Sequence, residues 1–123
     1  MNRCFLIGRL VADPELRYTP GGTAVTNMRI AVDRDFKNQK GQRETDFLDI
    51  VCWQKLGELV AEHLGKGRLV AVEGRIQVNQ WESDDVRRSK PEVHAAQVKF
   101  LDWPKEGEGP NSRPDFSHDD VPF

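Results

Sequence analysis

The sequence predicts an all-β domain: a barrel of five short strands, with one α-helix between the third and the fourth strand and a disordered tail behind. Three observations carry that expectation. Five separated stretches have the apolar patterning of strands, one stretch among them has the period of a helix, and the composition changes abruptly after Trp103. The 123 residues suffice for one such domain and little else.

The first stretch, residues 3–12, is apolar on both sides. Cys4, Leu6 and Leu10 point one way, and Phe5, Ile7 and Val11 the other. A strand apolar on both faces is buried on both. In so small a domain one face belongs to the core and the other to a subunit contact. Asp13-Pro14 and Pro20-Gly21-Gly22 are turns bracketing Leu16-Arg17-Tyr18. Residues 23–33 alternate, with Ala24, Thr26, Met28, Ile30 and Val32 inward and Asn27, Arg29 and Asp33 on the other face. Residues 37–44 read as a polar loop around Gly41. Residues 45–53 are the third strand, with Leu48, Ile50 and Cys52 inward and Phe47, Asp49, Val51 and Trp53 opposite.

At residues 54–64 the period switches. Leu56, Leu59, Val60 and Leu64 follow helical spacing, and Gly65-Lys66-Gly67 stops the helix. Strand pattern returns at 68–78, with Val70, Val72, Ile76 and Val78 on one side and Arg75 and Gln77 on the other. A polar loop of about a dozen residues then carries Trp81, Arg87, Arg88 and Lys90. Glu92 to Leu101 is the last strand, with Pro91 at a strand entrance or an edge. Five strands with a single helix in this place are the order of an OB-fold Greek-key barrel.

After Trp103, four of the seven prolines lie among residues 104–123, spaced by Gly107, Gly109, Asn111 and Ser112. Such a segment cannot bury enough apolar surface to offset its ordering entropy. The expected division is therefore a domain over 1–103 and a disordered tail over 104–123, whose reach is roughly 25 Å by flexible-chain scaling. The tail ends in Asp119-Asp120-Val121-Pro122-Phe123. Acidic residues capped by Pro-Phe look like a short docking motif for other proteins.

Charge divides the same way. Residues 1–103 hold 16 basic and 15 acidic side chains, whereas the tail has Lys105 and Arg113 against five acids. The domain is free to present a basic face. No apolar run is long enough to span a bilayer. Arg9 interrupts the N-terminal apolar run, which does not read as a signal peptide, so the expected compartment is the cytoplasm. Cys4 and Cys52 are far apart and lack a CxxC or Cys/His setting. Neither a metal nor a cofactor is expected, and the thiols read as small buried hydrophobes.

Aromatic placement is the functional signal. Phe47 and Trp53 share the outer face of one strand, about 20 Å apart at the usual rise. Trp81 and Phe36 sit in polar surroundings where a core has no use for a ring. Rings among basic residues on outer faces suit the stacking of nucleic-acid bases. Arg3, Arg9, Arg29, Arg34, Lys55, Arg68, Arg75, Arg87, Arg88 and Lys90 are the candidates for phosphate contacts. Arg75, Arg87, Arg88 and Lys90 lead, because they share a strand or loop with Trp81. Asp49 would repel a phosphate, so bases pass over it or a basic neighbour neutralises it. Asp33, Asp35, Asp46 and Asp49 as nuclease metal ligands, or an adaptor whose main work is docking proteins with weak DNA binding, are the competing readings. His63, His94 and His118 are remote in sequence, and no catalytic arrangement or Walker loop is apparent, so no enzyme is expected.

These segments together resemble the bacterial single-stranded DNA-binding protein family. The carriers are Met1-Asn2-Arg3, Leu6-Ile7-Gly8-Arg9-Leu10, Asp13 to Thr19, Gly22 to Val25 with Asn27, Ile30-Ala31-Val32, Asp46-Phe47 with Trp53, Leu64 to Gly67, Val72 to Ile76, Glu92-Val93 and Val98 to Leu101. The tail tip matches independently. The resemblance implies an OB-fold homotetramer wrapped by single-stranded DNA, with Phe36, Phe47, Trp53 and Trp81 stacking bases and the first strand at a dimer interface. It further implies association with the nucleoid and recruitment of replication, repair and recombination proteins by residues 119–123. The linker before the tip is short for the family, and Ser89-Lys90-Pro91 stands where many members carry an aromatic residue and a threonine.

Overall fold

The alternating stretches close into a barrel in the computed structural model, which describes residues 1–102. The boundary at 103/104, the expected tail disorder and the tip at 119–123 lie outside the described residues. The elements run β1 (Cys4–Leu10), β2 (Glu15–Tyr18), β3 (Ala24–Lys37), β4 (Arg43–Trp53), α1 (Gln54–His63), β5 (Leu69–Ser83) and β6 (Val86–Phe100). The sheet order is β1-β5-β6-β4-β3-β2, and a further β1–β3 pairing closes it. Five strands thus make the barrel, and Leu16-Arg17-Tyr18 belongs to a short sixth strand on the β3 edge. The helix falls between the third and fourth barrel strands, as the periodicity predicts.

Closure depends on close backbone approach. Arg9 and Leu10 pair with Ala31 and Ile30, and a Cβ at Gly8 would run into the Ala31 carbonyl. The core is Leu10, Met28, Ile30, Ile50, Cys52, Val70, Val72 and Val93 from the strands, with Val60 and Leu64 from the helical segment. The buried Thr26 hydroxyl donates to the Gly57 carbonyl at 2.7 Å, fixing the helix to β3. The Asp102 carboxylate ties down the end of the domain, accepting from Arg68, Arg9 and the Leu69 N–H.

Two loops are shorter than expected. The polar loop at 37–44 narrows to residues 38–42, where the Asn38 side chain accepts from the N–H groups of Lys40 and Gln42. The dozen-residue loop around Trp81 is not a loop. β5 and β6 continue through it as one hairpin, Trp81 opposite Arg88 and Ser83 opposite Val86. Asp84 and Asp85 take φ of 53° and 65°, the left-handed pair of a two-residue type I′ turn. Pro91 therefore lies inside β6, opposite Val78. A bulge between the Glu73–Gln97 and Gly74–Ala95 pairs bends the hairpin. Ile76 and Val78 keep the side predicted for them but are exposed, because that part of the hairpin runs beyond the barrel. Val51, expected outside, is buried, and Cys4, expected buried, is only half-buried.

Candidate nucleic-acid interface

Register places the candidate side chains, because residues directly opposite in neighbouring strands share a face. Along β4, Phe47, Asp49 and Trp53 point outward. Opposite them on β3 are Ala31, Arg29 and Val25. On the other flank β4 pairs with β6, Val51 beside His94. Then Arg75, Gln77, Asn79 and Trp81 of β5 lie opposite His94, Glu92, Lys90 and Arg88 of β6. One continuous outer surface therefore carries Phe47, Trp53 and Trp81 interleaved with Arg29, Arg75, Arg88 and Lys90. The three rings are 58%, 42% and 45% exposed, open enough for a planar group to settle on them.

Asp49 sits in the middle of this surface and is neutralised there. Arg29 Nε donates to it at 2.9 Å, and Lys90 is ion-paired to its other oxygen. The Arg29 hydrogen bond holds the Asp49 carboxyl below the usual carboxylate range, against the opposing effect of partial burial, with Lys90 adding to the depression. A strand passing over Asp49 meets a paired carboxylate rather than a free charge.

Trp53 is held by a contact that sequence reasoning missed. Its indole N–H donates to Nδ1 of His94 at 3.1 Å, and Nε2 of His94 faces the Glu92 carboxylate at 2.9 Å. The planes of the two rings are within 19° of parallel. The next residue, Gln54, has φ of 57°, so the chain turns sharply into α1 directly after the tryptophan. The available signal was the i, i+2 spacing of Glu92 and His94, which puts both on one strand face; its partner is 41 residues away.

The other candidates lie elsewhere. Arg87 is opposite Glu82 and faces the reverse side of the hairpin, with Ile76 and Val78. Phe36 is 83% exposed and lines a groove of about 840 Å³ with Phe5, Ile7 and Arg34. Arg34 is engaged by Asp46 and Glu44, and its hydrogen bond holds Asp46 below the usual range. Arg3 is paired to Glu73 and Arg9 to Asp102. Arg68, 15% exposed, is taken up by Asp102 and the His63 carbonyl, which makes it a structural residue. Lys55 is the exception: it is exposed in the first turn of α1, two residues beyond Trp53. Asp33, Asp35 and Asp46 line the Phe36 groove and Asp49 lies on the surface with Phe47 and Trp53; among the described residues no group of three His, Cys, Asp or Glu could hold a metal.

Comparison with known proteins decides the family. The model of the single-strand binding protein family matches residues 1–101. The chain belongs to that family. A single-stranded DNA-binding protein of Halalkalibacterium halodurans is 50% identical over 103 residues, 83% of this chain and 61% of that one. One from Clostridium tetani is 45% identical over this whole chain and 86% of its own length. The chain thus spans under two thirds of the first of these relatives. Among solved structures, the Plasmodium falciparum single-strand binding protein in complex with single-stranded DNA superposes with a TM-score of 0.77 at 26% identity, over 83% of this chain and 96% of that one. The Thermus aquaticus protein gives 0.70 at 35% identity, over 83% of this chain and 51% of the other. The family membership agrees with the barrel and with the resemblance carried by the motifs.

Proposed function

We propose that this protein binds and protects single-stranded DNA without strong sequence preference, and recruits replication, repair and recombination proteins through residues 119–123. One observation carries the DNA-binding reading: Phe47, Trp53 and Trp81 share a barrel surface with Arg29, Arg75, Arg88 and Lys90. Every base has a flat face, so stacking on these rings is sequence-tolerant, at about 1–3 kcal/mol per base. Guanidinium groups add stacking and phosphate contacts, and released counterions favour binding at low salt. An unpaired base is required, since a duplex keeps its base faces covered. No step in this function is catalytic.

The assembly is proposed as a homotetramer. Phe5 and Ile7, on the outer face of β1, are 72% and 49% exposed. They flank a shallow groove of about 290 Å³ with Ala71 and Lys99. An apolar strand face of this kind suits a second copy of the chain.

Native mass spectrometry with single-stranded oligonucleotides of graded length tests both parts. The expected species are a tetramer and the tetramer with whole numbers of strands. A monomer carrying no strand contradicts the proposal. Deleting residues 119–123 should leave DNA affinity intact and abolish capture of partner proteins; unchanged capture removes the tip from the account.

A further inference from the structure

We infer that His94 is a positioning residue for Trp53, acting through its neutral imidazole, and that single-strand binding therefore weakens when His94 is protonated. The inference rests on the DNA-binding reading above and deepens it.

The chemistry assigns the proton. An indole N–H only donates, so Nδ1 of His94, 3.1 Å away, accepts and bears no hydrogen. The ring's one proton is then on Nε2, where it donates to Glu92 Oε1 at 2.9 Å. Glu92 thus fixes the tautomer that Trp53 needs. The His94 side chain is 9% exposed, while Trp53 remains 42% exposed. The N–H edge of the indole is pinned, and a large part of the side chain remains accessible. Glu92–His94–Trp53 is a chain of donors and acceptors running from β6 to the outer end of β4. Trp53 is the last residue of that strand, and the helix begins at Gln54.

Protonation reverses one link. An imidazolium is a donor at both nitrogens, so Nδ1 would point a hydrogen at the indole hydrogen. The hydrogen bond breaks, and the indole is released from its anchored orientation. The charged groups on the elements around His94 are Glu92 and Lys90 on β6, Arg75 opposite it on β5 and Asp49 on β4. The start of α1 adds Lys55 and Glu58. Asp49 is already paired with Arg29 and Lys90, leaving Glu92 as the carboxylate in contact with the ring.

Two measurements test this. In the ¹⁵N-labelled full chain, the Trp53 indole N–H signal is assigned by its loss in Trp53→Phe. It should follow a single histidine titration and exchange rapidly with water at the acid end. A signal that exchanges rapidly throughout overturns the contact, and one that neither moves nor gains exchange between about pH 8 and pH 5.5 overturns the dependence on protonation. The second measurement is affinity for oligo(dT) at about 0.3 M salt, where long-range phosphate attraction is screened. Wild type should weaken about three- to tenfold across that pH range, the worth of one hydrogen bond. His94→Asn, whose amide oxygen can replace Nδ1 and does not titrate, should bind as wild type does at high pH and stay flat. His94→Phe should be weak throughout and equally flat. A His94→Phe protein with wild-type affinity and wild-type pH dependence overturns the positioning role. A wild type that binds no oligo(dT) at any pH, with the indole titration intact, removes the DNA-binding reading and the role built on it, while leaving the contact in place.

Discussion

Trp81→Ala isolates stacking from folding. Trp81 lies on the part of the β5–β6 hairpin beyond the barrel, opposite Arg88, and is not among the core residues. Its removal should change thermal stability by less than about 0.5 kcal/mol, as expected for an exposed residue away from caps and buried networks. If Trp81 stacks one base as proposed, its removal costs about 1–3 kcal/mol, or roughly a five- to 150-fold loss of affinity. The salt dependence should be unchanged, because the proposed phosphate contacts, Arg75, Arg88 and Lys90, remain in place. Fluorescence anisotropy of a labelled oligo(dT) over a salt series reads affinity and slope together. Full affinity in Trp81→Ala would refute the stacking assignment. A loss of affinity that came with a shallower salt slope would show that the hairpin serves charge rather than base contact.

Other expectations follow from the same surface and from the core. Arg88→Ala and Lys90→Ala should each weaken binding and reduce the salt slope by about 0.7, the share of one neutralised phosphate, checked by the same series. The Asp49 carboxyl titrates below its ordinary value, so it contributes stability that is fully present above the unfolded value near 3.9 and is lost as pH falls through the folded one. Asp49→Asn should therefore flatten the acid limb of a stability–pH curve measured by urea unfolding below about pH 4; an unchanged limb removes Asp49 from acid denaturation. Burial pushes the Cys52 thiol up to about 12. Alkylation followed by peptide mass mapping should modify the half-buried Cys4 first and Cys52 only on unfolding.

Much of the barrel is legible in the sequence because one side of each strand is buried. Ala24 to Val32 alternate without interruption, and all but Val32 of the expected inner set is buried. Val60 and Leu64 keep helical spacing, and Gly67, with φ of 90°, ends the turn beyond the helix. The hairpin beyond Val78 is not legible, for a physical reason. Both of its faces meet solvent, so no hydrophobic alternation marks it. Its turn is Asp84-Asp85 rather than the Asn-Gly or Asp-Gly that announces a tight hairpin.

The surface was half legible. The outward parity of Phe47 and Trp53 follows from the inward parity of Leu48, Ile50 and Cys52. That Arg88 and Lys90 face Trp81 while Arg87 does not depends on the hairpin register, and so on the turn. The parallel β4–β6 pairing brings His94 to Trp53, and no local pattern reports a pairing between strands so far apart in sequence. Arg68 illustrates the converse: its partner, Asp102, lies 34 residues on, and without that partner it reads as one more surface charge.

In the proposed function unpaired bases stack on Trp53 and Trp81. Titrating single strands of mixed sequence into the protein while following intrinsic tryptophan fluorescence tests it most directly. Saturable quenching that depends little on sequence, and that a duplex of equal length does not produce, is the result expected. Fluorescence unmoved by single strands, or quenched equally by duplex, would contradict it.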